Sequence, residues 1–235
     1  MGINDPEKEF QEAAVALKNG YASMAYDLFL RIAEKGDPRA QFLVGRLLED
    51  GRGVPREPEQ SAQWYRRAAT QGHTEAQVRL GFLYLGGGVI PRNDAEALRW
   101  FRLAAEQGGH SMAQAYLCSL YAEGGSTLPA DKKLSMEWCQ RAAEQGVPAA
   151  QTMLGFHYAL GTPPDLVTAR RWFEQAARQG YTSAVKALTE LDRGITPTPV
   201  TGMPPTQAAP PAAPAVTRPG SRAKPTATPT PNGWE

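Results

Sequence analysis

Apolar residues follow helical spacing along most of the chain. Alanine and leucine recur three and four residues apart, which places an apolar stripe on one side of each segment, and glycines separate the segments. A glycine just after such a stripe ends a helix or begins a loop. The pattern therefore predicts short amphipathic helices that pair into hairpins. Within one hairpin, the small residue Gly81 is predicted to let the first helix approach Ala97 of the second.

The tryptophans indicate that the hairpins repeat. Four of the five tryptophans are separated by 36, 38 and 34 residues, and each is followed by an alanine pair and then a glycine. These tryptophans are Trp64, Trp100, Trp138 and Trp172, and the glycines are Gly72, Gly108, Gly146 and Gly180. A period of this length is typical of repeat proteins, in which each hairpin buries its apolar face by stacking on its neighbours. We predict that the tryptophans are core residues.

The first helix of each hairpin has recurring residues of its own. Ala76-Gln77 is followed by Leu80-Gly81, Tyr84 and Gly87, and Ala150-Gln151 by Leu154-Gly155, Tyr158 and Gly161. Together with the tryptophan half, this unit resembles the Sel1-like repeat, a relative of the tetratricopeptide repeat. The resemblance implies an all-α fold, a right-handed α/α superhelical solenoid of helical hairpins. It further implies a non-catalytic scaffold or adaptor that binds a protein or peptide partner, with an immunity protein for a toxic effector as the alternative.

Departures from the repeat predict the domain organisation. Residues 1–36 lack the tryptophan and resemble a tetratricopeptide hairpin that caps the stack. Residues 37–193 are predicted to form four repeats followed by a C-terminal capping helix. The repeats are predicted at 37–72, 73–108, 109–146 and 147–180. Residues 194–235 are rich in Pro, Ala and Thr and are predicted to be a disordered tail. In the third repeat Cys118 replaces the glycine and Gly109 is an insertion, so we expect an altered helix approach there.

Charge and hydropathy limit the partner and the compartment. Charged residues make up 21% of the chain and the net charge is +1, which argues against nucleic acid or an anionic membrane as the partner. No apolar run is long enough to span a membrane, and the first residues lack the apolar core of a signal peptide. We predict a cytoplasmic protein, or a periplasmic one if a leader has been removed; the oligomeric state is left open. Cys118 and Cys139 are predicted to be reduced, with a disulfide between neighbouring helices as the alternative.

The sequence offers little chemistry, and we expect no catalytic residue, metal or cofactor. The S-x-x-K spacing of penicillin-recognising enzymes occurs at Ser183-Ala184-Val185-Lys186. An enzyme acting on β-lactams or the cell wall is therefore the alternative from another functional class. The S-D-N and K-T-G motifs of those enzymes do not occur, which argues against it. The histidines, His73, His110 and His157, fall in different turns and are predicted to be isolated. Arginines beside the tryptophans alternate with glutamates, which favours a salt-bridged solvent face over a nucleic-acid surface.

The candidate binding site is the groove that first helices line in tetratricopeptide proteins. Side chains three residues before and one residue after the small residue of each first helix are predicted to point into it. They are Phe42, Arg46, Val78, Phe82, Ala115, Ser119, Thr152 and Phe156. The repeat does not require Phe82 or Phe156, so we interpret them as contacts for a partner. The alternative is that they pack between adjacent first helices.

Overall fold

The structure, a computed structural model, describes residues 5–124 and 128–199. Within these residues the fold is all-helical and contains no strand. The helices are α1 (Pro6–Lys18), α2 (Ala22–Glu34), α3 (Pro38–Asp50), α4 (Pro58–Thr70), α5 (Thr74–Gly86), α6 (Asp94–Glu106), α7 (Ser111–Glu123), α8 (Lys132–Glu144), α9 (Pro148–Ala159), α10 (Leu166–Arg178) and α11 (Thr182–Asp192).

Consecutive helices pair into hairpins. α3 packs on α4, α5 on α6, α7 on α8 and α9 on α10, and the second helix of each hairpin packs on the first helix of the next. α1 and α2 form a further hairpin in front of these four, and α11 packs on α10 as a single helix. The prediction of an all-α solenoid of helical hairpins is therefore confirmed.

Local signals explain where the helices begin and end. At the start of α3, the side chain of Asp37 accepts hydrogen bonds from the backbone N–H groups of Arg39 and Ala40, which no helical carbonyl can reach. At the end of the same helix, Gly51 adopts a left-handed conformation with φ of 64°. Polar caps and glycines thus set the length of the helices, and apolar packing sets their orientation.

Three hairpins place a glycine of the first helix under an aromatic ring of the second. A Cβ atom on these glycines would stand 2.8, 2.9 and 2.5 Å from the ring, which is closer than real side chains approach; the pairs are Gly45–Tyr65, Gly81–Phe101 and Gly155–Phe173. The small residue therefore permits the close approach, as predicted. The atoms nearest to Gly81, however, belong to the Phe101 ring, four residues after Ala97.

The third hairpin replaces this contact with a disulfide. Cys118 and Cys139 are bonded, with their Cα atoms 4.8 Å apart, and both are buried. The prediction that the two cysteines are reduced is wrong. Cys139 directly follows Trp138, which is where the other hairpins carry Tyr65, Phe101 and Phe173. Both cysteines therefore lie at the contact point between the two helices.

The tryptophans are less deeply buried than predicted. Trp100 and Trp138 are buried, but Trp64 and Trp172 are only half-buried. The residues that follow the tryptophans are deeper, with 0, 1 and 0% exposure for Tyr65, Phe101 and Phe173. In the second helix, the residue after each of these tryptophans therefore faces the first helix. The tryptophan itself lies to one side.

A glutamine on each first helix connects three helices. The Nε2 groups of Gln41, Gln77, Gln114 and Gln151 donate to backbone carbonyls of the preceding helix, at 3.1, 3.2, 3.4 and 3.2 Å. Three of the Oε1 atoms accept from a glutamine at the end of their own hairpin, in the pairs Gln71→Gln41, Gln145→Gln114 and Gln179→Gln151. The buried Oε1 of Gln77 has no partner among the described residues.

The missing bond coincides with the insertion that the sequence showed. Gln71, Gln145 and Gln179 stand directly before glycines with positive φ, but in the second hairpin the positive φ falls on Gly109, two residues after Gln107. Gln107 is therefore displaced relative to the turn, and its side chain makes no bond to Gln77. An altered helix approach was expected at this insertion, and what the structure shows there is a missing hydrogen bond.

The end of the solenoid includes the first residues of the predicted tail. The backbone N–H of Ile195 donates to the carbonyl of Glu190, Pro197 is buried, and the N–H of Thr198 donates to the Glu190 carboxylate at 3.1 Å. The rest of the predicted tail, from residue 200 onwards, lies outside the described residues.

Candidate partner-binding face

Four positions on each of α3, α5, α7 and α9 lie on the same side of their helix, because they are spaced three or four residues apart. We call this side the first-helix face. Its residues are Arg39, Phe42, Arg46 and Asp50 on α3, Glu75, Val78, Phe82 and Gly86 on α5, Met112, Ala115, Ser119 and Glu123 on α7, and Ala149, Thr152, Phe156 and Leu160 at α9. The middle two positions of each helix are the ones that the sequence predicted.

The predicted residues divide into an accessible and a buried set. Phe42, Arg46, Phe82 and Ser119 are half-buried, whereas Val78, Ala115, Thr152 and Phe156 are buried. Thr152 also donates its hydroxyl to the Pro148 carbonyl at 2.8 Å, within its own helix. Only the accessible set can contact another molecule.

The two phenylalanines that were interpreted as partner contacts both pack inside the solenoid. Phe156 is 4% exposed and its ring lies edge-on to Phe173, with centroids 5.1 Å apart. Phe82 is half-buried and lies edge-on to Phe101 and to Tyr116 of the next first helix, at 5.1 and 4.5 Å. Packing between adjacent first helices, the alternative that the sequence left open, describes Phe82, which contacts Tyr116 and keeps an accessible side. Phe156 packs instead on the second helix of its own hairpin.

Phe42 connects the first two hairpins. Its ring stacks on the imidazole of His73 with centroids 4.6 Å apart and lies 5.7 Å from Tyr65. His73 is the N-cap of α5, and its Nδ1 accepts from the Ala76 N–H at 3.3 Å. The ring is therefore held in place before any partner binds.

A polar cluster lies behind this part of the face. The Tyr65 hydroxyl donates to Oε2 of Glu49 at 2.6 Å, and Nη1 of Arg79 lies 3.8 Å from the same oxygen. Burial, and then the charge of Glu49, raises the pKa of Tyr65, so the phenol stays a hydrogen-bond donor. Each of these groups has a partner, and the cluster holds α3, α4 and α5 together.

Sequence reasoning missed the outer positions of the first-helix face. Met112 and Ala149 are half-buried, and Leu160 is 43% exposed. Each lies three or four residues from a predicted position, so the helical period was the signal that identifies them. They extend the accessible surface over the last two hairpins.

The arginines beside the tryptophans lie on the second helices, and three of them cover an indole ring. Their guanidinium carbons lie 4.4, 5.2 and 4.7 Å from the ring centroids in the pairs Arg67–Trp64, Arg99–Trp100 and Arg141–Trp138. Of these three arginines, Arg99 also pairs with a glutamate of its own helix, at 3.4 Å from Glu96. The predicted solvent face is exposed, and it carries cation–π contacts beside the predicted kind of salt bridge.

The remaining candidates for chemistry have structural partners. His73 and His110 are N-caps of α5 and α7, and His157 bonds the buried hydroxyl of Ser135 at 3.0 Å. No group of metal-binding side chains forms among the residues that the structure describes. Lys186 lies 3.9 Å from Glu190 and Ser183 is half-buried at the start of α11.

Comparison with known proteins decides the family. Residues 38–73, 74–109, 111–147 and 148–181 match the Sel1 repeat, and these segments make up more than half of the chain. The chain belongs to the Sel1 repeat family. Each match contains one of the hairpins from α3–α4 to α9–α10. Sel1 repeat proteins generally mediate protein–protein interaction and generally lack catalytic activity.

Solved structures support the same fold. A Sel1 repeat protein from Oxalobacter formigenes is similar with a TM-score of 0.71 and 29% identity, over 80% of this chain and 78% of that protein. The protein c5321, a protective antigen present in uropathogenic Escherichia coli strains, is similar with a TM-score of 0.70 and 30% identity, over 83% of this chain and 46% of that one.

Two further comparisons add nothing on function. The immunity protein Pa5087 from Pseudomonas aeruginosa has a TM-score of only 0.48 and 20% identity, over 80% of this chain and 71% of that one, which is too low to carry an argument. No curated protein matches the chain.

Among the described residues, no helix is both long and apolar enough to cross a bilayer.

Proposed function

We propose that this Sel1 repeat protein is a non-catalytic adaptor that binds a partner protein on the first-helix face. The observation that supports the proposal is the accessible row on consecutive first helices, formed by Phe42, Arg46, Phe82 and Ser119. An aromatic ring or an arginine that keeps an accessible side is typical of binding surfaces. The ring of Phe42 is held by His73, and that of Phe82 by Phe101 and Tyr116, which lowers the entropy lost on binding.

A charge placed at Ser119 tests the proposal. Ser119 is half-buried on the face, so an arginine there would obstruct a partner without removing a core side chain. Gln63→Arg is the matched control, since Gln63 is exposed on the second helix α4. Proteins that co-purify with each variant from the native cell are quantified. We expect Ser119→Arg to lose the partner and Gln63→Arg to keep it.

The outcome of this experiment also separates two kinds of partner. Several weak partners would fit an adaptor, whereas one tight cognate partner would fit the immunity alternative. If Ser119→Arg and Gln63→Arg capture the same proteins at the same level, the first-helix face is not the binding surface.

We further propose that the protein works in an oxidising compartment, such as the periplasm. A buried disulfide between Cys118 and Cys139 supports this, because disulfides persist in oxidising compartments and are rare in the cytosol. Cells are treated with acid, and the denatured protein is labelled with a maleimide before or after reduction. We expect labelling only after reduction; labelling without reductant would place the protein in a reducing compartment.

A further inference from the structure

Arg46 differs from the other half-buried arginines of the described residues. Arg52 donates to the Leu17 carbonyl, Arg79 lies beside Glu49, and Arg170 pairs with Asp192 at 2.7 Å. Arg46 has no hydrogen-bond or ion-pair partner in the described part of the chain. Its guanidinium carries a permanent charge and five donors, so a partly desolvated site leaves these donors open to a ligand.

The position of Arg46 directs that charge onto the first-helix face. Phe42 lies one turn before it on α3, and Phe82 takes the same register position on α5. Asp50 lies one turn after it but makes no ion pair with it. A ligand that reaches Arg46 therefore also meets the two accessible aromatic rings.

The charge of the face changes along the solenoid. α3 contributes Arg39, Arg46 and Asp50 to it, and α5 contributes Glu75. α7 contributes only Glu123, and α9 contributes no Asp, Glu, Lys or Arg. Besides the exposed Glu123, the accessible residues of the last two hairpins are Met112, Ser119, Ala149 and Leu160. One end of the face thus offers an open cation, and the other end offers an apolar surface.

Arg39 does not compete with Arg46 for an anion. Its guanidinium pairs with Asp37 and Glu7, both at 2.9 Å, and lies over the Phe10 ring. These partners hold the pKa of Arg39 above its usual range. Of the two arginines that α3 places on the face, Arg46 is therefore the one whose guanidinium can bind a carboxylate from solvent.

From this arrangement we propose that the partner segment is an acidic–apolar peptide: a carboxylate binds Arg46, and apolar side chains follow along α7 and α9. The inference rests on the proposed function and adds the partner's chemistry and its direction along the face. A carboxylate suits a guanidinium because it accepts two parallel hydrogen bonds. A nucleic acid is a poor fit, since its further phosphates would meet the carboxylate of Glu123 on α7 and the uncharged residues of α9.

A charge reversal at Arg46 tests the proposal. A random 16-residue peptide library displayed on phage is selected against the full chain, against Arg46→Glu and against the control Arg178→Glu. Arg178 is exposed on α10, outside the face. Selected peptides are then synthesised, and their affinities for each protein are measured by fluorescence anisotropy. Circular dichroism checks that Arg46→Glu is folded, which we expect because Arg46 makes no bond to lose.

We expect the wild type and Arg178→Glu to select peptides with Asp or Glu at one end of an apolar stretch. Arg46→Glu should bind these peptides at least about tenfold more weakly, as for loss of a charge-assisted contact, and should select Lys or Arg instead. Equal affinity for wild type and Arg46→Glu, or selected peptides without acidic residues, would overturn the inference. Failure to select any peptide, with self-association of the chain in sedimentation, would assign the face to a second copy and also overturn it.

Ser119→Arg separates this inference from the proposed function. If the selected peptides lose affinity for Ser119→Arg but not for Arg46→Glu, the face binds peptides and the inference on acidic ends is wrong. If neither substitution changes their affinity, the peptides bind elsewhere and the proposed function fails as well.

Discussion

Cys118 and Cys139 are bonded at the point where the other three of the four hairpins from α3 to α10 place a glycine under an aromatic ring. Two departures from the repeat therefore belong together: a cysteine replaces the glycine, and a cysteine replaces the ring. Either change alone would be unfavourable, because a side chain at position 118 would collide with a ring, and a glycine opposite a cysteine would leave a void. The disulfide and the glycine–ring contact are two solutions for the same helix approach.

Exchanging one solution for the other gives a first prediction. The double variant Cys118→Gly with Cys139→Phe should fold as the wild type does and should be insensitive to reductant. Reduction of the wild type should lower its free energy of unfolding by about 3 kcal/mol. Urea unfolding with and without dithiothreitol measures both.

The single variant Cys139→Phe is the control for this exchange. It keeps the Cys118 side chain under the new ring and should be less stable than the double variant by about 1–3 kcal/mol. A double variant that is no more stable than Cys139→Phe would show that the third hairpin cannot adopt the glycine–ring contact.

The unpartnered Oε1 of Gln77 gives a second prediction. Gln41→Leu removes two hydrogen bonds, to the Ala33 carbonyl and from Gln71, whereas Gln77→Leu removes one bond and one unsatisfied acceptor. Gln77→Leu should therefore cost about 1 kcal/mol less free energy of unfolding than Gln41→Leu. Thermal and urea unfolding of the two variants compare them directly, and equal losses would mean that Gln77 has a partner in solution.

The three half-buried histidines give a third prediction, on pH. Burial lowers the pKa of His73, His110 and His157 below the ordinary value, so the unfolded chain binds more protons than the folded one. Stability is then fully present above about pH 6.5 and falls as the pH drops below it. Thermal unfolding at pH 7.5 and 5.0 should show the loss.

Aspartate at the two caps should reduce this pH dependence. Asp37 already caps α3 in the way that His73 and His110 cap α5 and α7. His73→Asp with His110→Asp keeps an acceptor for the helix N–H groups and removes two of the three histidines. If the double variant loses as much stability as the wild type between the two pH values, the caps are not the source.

The spacing of tryptophan, alanine and glycine was enough to predict the helices and the repeat, because those residues are repeated by the packing itself. The accessibility of Phe82 and Phe156 could not be predicted in the same way. Both have the same register, but Phe82 keeps an accessible side and Phe156 does not. That difference depends on how neighbouring helices cover each ring. That Cys118 faces Cys139 could not be read from the spacing either, since the sequence placed Ala97 opposite Gly81, and Cys139 takes the register position of Phe101.

The depth of the aromatic residues gives the last prediction. Phe173 is fully buried against Gly155, whereas Trp64 is half-buried and its ring is covered by Arg67. Phe173→Ala should cost about 3–5 kcal/mol, because it leaves a cavity between α9 and α10. Trp64→Ala should cost less, despite the larger side chain, because solvent already reaches the indole and can fill the space. Urea unfolding of both variants tests the order. A larger loss for Trp64→Ala would mean that the recurring tryptophan, and not the residue after it, holds the hairpins together.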